Sequence, residues 1–294
     1  RKIFPLSNIR WPTWFQRLID FVPGIGELIL YTLFPARYSF DPLRDIMRQT
    51  LAAHPLPNDN PTLAEVTAYL RPTGEGPTLI ITATEVIERR THFLKTTPQE
   101  QHGHMRLIDA MLASSCIPTY FPPITLPTDE DPPRRLIDGG VGNFGNPALV
   151  AAWELCDPHN PDPVRGYDPT QTTVFSFGTG TPSRAVAERV FGNADRWWAL
   201  QWIPRVIDVF TDSAIRQQSR NVVNAYPGID LRRFQVELPQ IIAADDVGLF
   251  DTVLQEQGQE LRRLVRENRH ALHPDPALRH DPEGIWDIVS PIQR

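Results

Sequence analysis

The stretch Leu136-Ile137-Asp138-Gly139-Gly140 closes an apolar run on an acid followed by two glycines. A carboxylate so placed sits at the carboxyl end of a strand, and in open α/β sheets ligands bind outside those ends. The glycines let the backbone turn sharply and keep side chains clear of the acid. Downstream, Asn146 offers an N-cap and Pro147 a first helical residue, so a helix over 148–156 starts cleanly. The plainer reading is a strand-to-helix turn whose aspartate serves only the surrounding backbone amides, since Asp-Gly turns are common.

Two further blocks frame this turn. Upstream runs Ala113-Ser114-Ser115-Cys116-Ile117-Pro118-Thr119-Tyr120-Phe121-Pro122-Pro123, and downstream Ser176-Phe177-Gly178-Thr179-Gly180 ends a second apolar run. They fall in one order with Ala36-Arg37-Tyr38, Thr82-Ala83-Thr84 and Arg233-Phe234 before a final helix. In that order and spacing, the chain from about Tyr38 through Leu264 resembles the C-terminal half of the patatin-like phospholipases.

The resemblance implies an α/β fold, a three-layer α/β/α sandwich with a mainly parallel sheet, here N-terminally truncated and forming a single partial domain over 1–294. It also implies hydrolysis of ester bonds in phospholipids or other acyl lipids by a serine–aspartate dyad. Asp138 matches the aspartate of that dyad, a general base acting on the serine directly, without a histidine. The family carries its serine on an earlier Gly-x-Ser-x-Gly elbow behind a glycine-rich oxyanion loop. No Gly-x-Ser-x-Gly occurs in these 294 residues. The chain is therefore expected to supply only Asp138 and to be inactive alone, and the alternative is a noncatalytic lipid- or protein-binding pseudoenzyme. Ser114 and Ser115 are poor replacements, because they follow a helix and lead into a proline-rich turn with no strained elbow around them.

Length and composition agree with one large α/β domain. Hydrophobic residues make up 41% of the chain, enough for a substantial core, and the 30 prolines fall mostly between periodic segments as loop punctuation. A net charge of −6 with no long basic run argues against nucleic acid as a partner. Cys116 and Cys156 give neither a disulfide framework nor a metal-ligand spacing and read as buried small apolar residues. The chain begins at Arg1 without the layout of a signal peptide, so an upstream segment is expected to have been removed or left out. Its most apolar early segment, 25–34, is short and interrupted by Glu27, so no transmembrane helix is expected and a cytoplasmic or peripheral-membrane location is favoured.

Periodicity predicts short amphipathic helices within 9–33 and a helix over 42–54 capped by Asp41 with Pro42 at its first position. It predicts strands at 78–84, 91–94, 136–138 and 173–177, a helix over 105–115, and a long aromatic helix from 197 to about 224. Residues 234–238 alternate as an edge strand would, 246–266 form a long helix, and the tail from His273 is rich in proline and charge. Alternation of strands and helices favours a parallel sheet.

Four other features carry a sharp and a plain reading. Gly140-Val141-Gly142-Asn143-Phe144-Gly145 spells a dinucleotide fingerprint, but Pro147 starts the helix after the third glycine and supplies no amide, so no nucleotide partner or cofactor is expected. His102 and His104 lack a third ligand and read as a loop pair, with no metal expected. Asp245 and Asp246 read as a helix cap. The segment from Arg196 to Phe210 either touches lipid at a membrane surface, with Arg196 and Arg205 meeting anionic headgroups, or packs as core, and Trp11 to Leu33 invites the same two readings.

Overall fold

The computed structural model describes residues 36–268 apart from 37, 98–101, 119, 127–132, 160–165, 198 and 243–245, together with 286–290. The helices read within 9–33 and the tail from His273 lie outside the described residues, save for 286–290. The chain divides into two compact units that meet in sequence between Gly145 and Asn146.

In the first unit, helix α1 (Asp41–Ala52) sets Leu43, Met47 and Leu51 against the core at one-turn spacing. Asp41 lies inside its first turn rather than at the cap, which falls on Phe40; the Ser39 hydroxyl accepts the Asp41 N–H at 3.2 Å. Helix α2 (Leu63–Leu70) was not anticipated, although Thr62-x-x-Glu65 announces it. The Thr62 hydroxyl accepts the Glu65 N–H, and the Glu65 carboxylate accepts the Thr62 N–H at 2.7 Å, a reciprocal capping box. Helix α3 (Leu107–Ser114) is buried nearly all round. These helices cover a core in which Leu63, Leu94, Leu112 and Leu136 are wholly buried, each contributing roughly 1.5–3 kcal/mol. Phe40 and Phe121 stack beside them with ring centroids 4.7 Å apart.

The sheet of this unit contains β1 (Ile80–Glu85), β2 (Arg90–Lys95), β3 (Ile124–Thr125) and β4 (Arg135–Asp138), in the order β2-β1-β4-β3. Every pairing in it is antiparallel, which corrects the expectation of a mainly parallel sheet for this half of the chain. The physical reason is local. Only Val86–Arg89 separates β1 from β2, and so short a link, with Arg89 at φ 55°, can only fold back, whereas a parallel neighbour needs a crossover of roughly a dozen residues. Glu85 closes this corner. Burial opposes its ionisation, yet the N–H groups of Glu88, Ile87 and Arg135 outweigh burial and hold its carboxyl below the ordinary value.

The second unit contains α4 (Ala148–Cys156), β5 (Thr173–Phe177), β6 (Thr181–Pro182), α5 (Arg184–Phe191), α6 (Ala199–Ala225), β7 (Asp230–Leu238), α7 (Val247–Asn268) and β8 (Trp286–Ser290). Here the strands are parallel. β7 pairs with β5 and with β8 over overlapping stretches, and its end continues to β6. The helices α5 and α6 between β5 and β7, and α7 between β7 and β8, supply the long crossovers that parallel pairing requires. The alternation read at 234–238 as an edge strand is corrected: β7 is a central strand, and its polar residues find partners inside the sheet. Arg232 is ion-paired with Asp230 at 2.5 Å, and Arg233 donates to the Ser176 hydroxyl at 2.7 Å.

Candidate active site

Asp138 is the last residue of β4, opposite Ala83 of β1. Its N–H donates to the Cys116 carbonyl at 3.1 Å, so the Ala-Ser-Ser-Cys block and the Asp-Gly-Gly block meet in the structure. A 3-10 turn over Gly139–Gly142 follows, ending on Asn143 in the left-handed region at φ 72°. The Asp138 carboxylate folds back onto this turn, and its Oδ1 accepts the Gly140 N–H at 2.7 Å. Among the described residues, Oδ2 takes no hydrogen bond. The side chain is half-buried, and burial raises its carboxyl above the ordinary value against the opposing pull of the Gly140 N–H. A carboxylate with one oxygen fixed, the other uncommitted and its basicity raised is suited to take a proton from a hydroxyl.

The glycine after the acid is demanded by contact. A Cβ on Gly139 would lie 2.4 Å from the Thr82 hydroxyl and 2.6 Å from the Thr82 carbonyl oxygen, so the turn rests directly on β1. Threonines line that surface. Thr82 donates to the Phe144 carbonyl and Thr91 to the Gly142 carbonyl, both at 3.3 Å, while the buried Thr84 hydroxyl has no partner among the described residues. Thr82 and Thr84 belong to the block Thr82-Ala83-Thr84 that the sequence marks, but nothing local shows that they and Thr91 of the neighbouring strand meet the turn.

Cys116 stands behind the acid. It is wholly buried, its thiol donates to the Pro122 carbonyl at 2.8 Å, and burial, with the Asp138 charge adding to it, pushes its pKa up to about 12. Such a thiol is inert packing. Ser115 donates its hydroxyl to the Met111 carbonyl at 2.9 Å, one helical turn back.

The third block, Ser176 to Gly180, belongs to the second unit. Ser176 donates to Asn146 Oδ1 at 3.1 Å, and the Asn146 amide donates to the Ser219 hydroxyl at 2.8 Å and the Ile215 carbonyl at 3.2 Å. Asn146 also accepts the Ala148 N–H at 3.2 Å, which starts α4 just after Pro147. These buried groups, with Arg233, tie β5, β7, α4 and α6 together. Gly180 takes φ 110°, a conformation that favours glycine, and its N–H donates to the Gln235 side chain at 3.0 Å.

His102 and His104 do not act as a pair. His102 meets His92 of β2, Nε2 to Nδ1 at 3.0 Å, and His104 is exposed. Among the described residues no cluster of three histidine, cysteine or acidic side chains could hold a metal. Asp246 accepts the Leu249 N–H at 3.1 Å as the cap of α7. At the aromatic segment, Trp197 meets Trp202 edge-on at 4.9 Å and Arg205 lies over the Trp197 ring at 4.6 Å, while Trp202, Val206, Val209 and Phe210 are exposed.

The family model of patatin-like phospholipase matches residues 11–152, a span that holds Asp138 and both blocks joined at Cys116. That stretch is patatin-like. Patatin-07 of Solanum tuberosum is 29% identical over 117 residues, covering 37% of this chain and 30% of the relative. Patatin group M-1 of the same plant is 28% identical over 129 residues, covering 41% and 31%. The chain thus matches about three tenths of the length of these patatins. The matched stretch combines helices with the antiparallel sheet, and the parallel sheet follows it in sequence. Among the described residues, no helix is long and apolar enough to cross a membrane.

Proposed function

We propose that this chain belongs to a lipid acyl hydrolase and contributes Asp138 as the general base of a serine–aspartate dyad. The observation that carries the reading is the state of the Asp138 carboxyl: one oxygen fixed by Gly140, the other uncommitted, and basicity raised by burial. A serine hydroxyl meeting Oδ2 would pass its proton there as its oxygen attacks an ester carbonyl. The carboxylic acid so formed would return that proton to the departing alcohol, and the regenerated carboxylate would then take a proton from the water that releases the acyl group and pass it back to the serine oxygen. The serine has to come from a Gly-x-Ser-x-Gly segment that these 294 residues do not contain, and that segment would complete a three-layer α/β/α sandwich with the parallel strands. The substrate class this supports is an ester of a phospholipid or another acyl lipid. Peripheral membrane contact fits the exposed face of Trp202, Val206, Val209 and Phe210 beside Arg205.

The absence of the nucleophile motif favours a second reading, a noncatalytic lipid- or protein-binding pseudoenzyme in which Asp138 only holds its turn. One experiment separates them. The protein expressed from its uninterrupted reading frame is assayed on p-nitrophenyl laurate and on phospholipid vesicles, beside Asp138→Asn. The dyad predicts hydrolysis that falls by about a hundredfold or more in the variant at an unchanged unfolding midpoint. Activity retained by Asp138→Asn removes Asp138 as base, and no hydrolysis by the unaltered protein leaves the pseudoenzyme reading.

A further inference from the structure

In the second unit a groove of about 460 Å³ opens between β5 and α7, lined by Phe177, Leu261, Arg262, Val265 and Arg266. Its volume falls in the range of small-molecule sites, roughly 300–1,000 Å³. Its floor is apolar. Phe177 stacks on the buried Phe234 ring, with centroids 5.4 Å apart and planes 16° from parallel, yet leaves 57% of its own surface open. Leu261 and Val265 pack on the same Phe234–Leu264 cluster.

Its rim is cationic. Arg263, between the two lining arginines, is held by Glu260 at 2.5 Å and Glu267 at 2.7 Å. Among the described residues, Arg262 and Arg266 have no carboxylate partner. They sit one helical turn apart on one face of α7, so their like charges oppose each other until an anion lies between them. An apolar strip ending at two guanidinium groups is complementary to a molecule with one hydrocarbon chain and one anionic head. A planar carboxylate matches the guanidinium fork with two parallel hydrogen bonds.

We propose that this groove binds a free fatty acid, its chain over Phe177, Leu261 and Val265 and its carboxylate between Arg262 and Arg266. The site uses residues of the second unit alone and stands whether or not Asp138 takes part in ester hydrolysis.

The test is calorimetric titration of the intact chain with lauric acid below its critical micelle concentration. Dodecanol, butyric acid and phosphatidylserine vesicles serve as comparators. Saturable binding of laurate is expected, weakened about tenfold in Arg262→Gln and again in Arg266→Gln, with dodecanol at least about tenfold weaker than laurate. Both arginines are exposed, so an unchanged circular dichroism spectrum should accompany the loss. Equal affinity for dodecanol and laurate, or full binding by the folded Arg262→Gln/Arg266→Gln variant, would overturn the carboxylate clamp. Equal affinity for butyrate and laurate would overturn the apolar floor. Binding to vesicles without binding of monomeric laurate would make the groove a membrane contact and refute the proposal.

Discussion

Replacing Gly139 by alanine tests the turn that presents Asp138. The added methyl would stand 2.4 Å from the Thr82 hydroxyl, 2.6 Å from the Thr82 carbonyl oxygen and 2.7 Å from its carbonyl carbon. Two of these are backbone atoms of β1, so no side-chain rotation relieves the clash, and the turn must lift off the strand. Overpacking of this kind costs about 1–3 kcal/mol, and rigid backbone contact puts this case at the upper end. For the unit Arg1–Gly145, where 1 kcal/mol shifts the midpoint by roughly 2–4 °C, thermal unfolding should fall by about 6–12 °C. Gly258→Ala is the control, since a Cβ there meets nothing within 4 Å inside α7, and it should raise stability by about 1 kcal/mol through helix propensity. The assay is thermal unfolding followed by far-ultraviolet circular dichroism. A Gly139→Ala midpoint equal to the unaltered protein's would refute the close approach of the turn to β1, and with it the argument that this contact aims the carboxylate.

Two further predictions concern titration and thiol chemistry. Burial, followed by the charges of His102, Arg90 and Arg134 and opposed by Glu88, lowers His92 from its ordinary 6.5. The folded state therefore prefers the neutral ring, and the stability linked to it is complete above pH 6.5 and lost as pH falls below that value. The unfolding midpoint of the unaltered protein should drop on acidification through this window more steeply than that of His92→Gln, and equal slopes would remove His92 as the source. With Cys116 pushed up to about 12 and Cys156 also raised by burial, neither thiol should react with a disulfide reagent at pH 8 in the folded protein, while both should react in guanidinium; rapid labelling of the native chain would contradict the burial.

Much of the site could be read from the chain because its signals are local. The end of an apolar run on Asp138, the glycines behind it and the Asn146-Pro147 helix start each depend on neighbours a few residues away; strand β4, the turn and α4 stand where those signals put them, except that the cap of α4 falls on Pro147 and its first helical residue on Ala148. Helix α2 was legible too, in the Thr62–Glu65 capping box and in Leu63, Val66 and Leu70 at helical spacing.

Strand direction in the first unit was legible in the short link between the strands read at 78–84 and 91–94, which leaves no room for a crossover, but alternation of strands and helices along the whole chain pointed the other way. The short link at Val86–Arg89 turned one half antiparallel, while α5, α6 and α7 kept the other parallel. The long-range pairs were equally invisible: His92 with His102, Ser176 with Arg233 and Asn146, and the Cys116 carbonyl that receives the Asp138 N–H. The sequence by itself determined where an acid could stand at the end of a strand. Tertiary structure decided how basic that acid is, because burial, which comes only with folding, raises its affinity for a proton against the pull of the Gly140 amide two residues away.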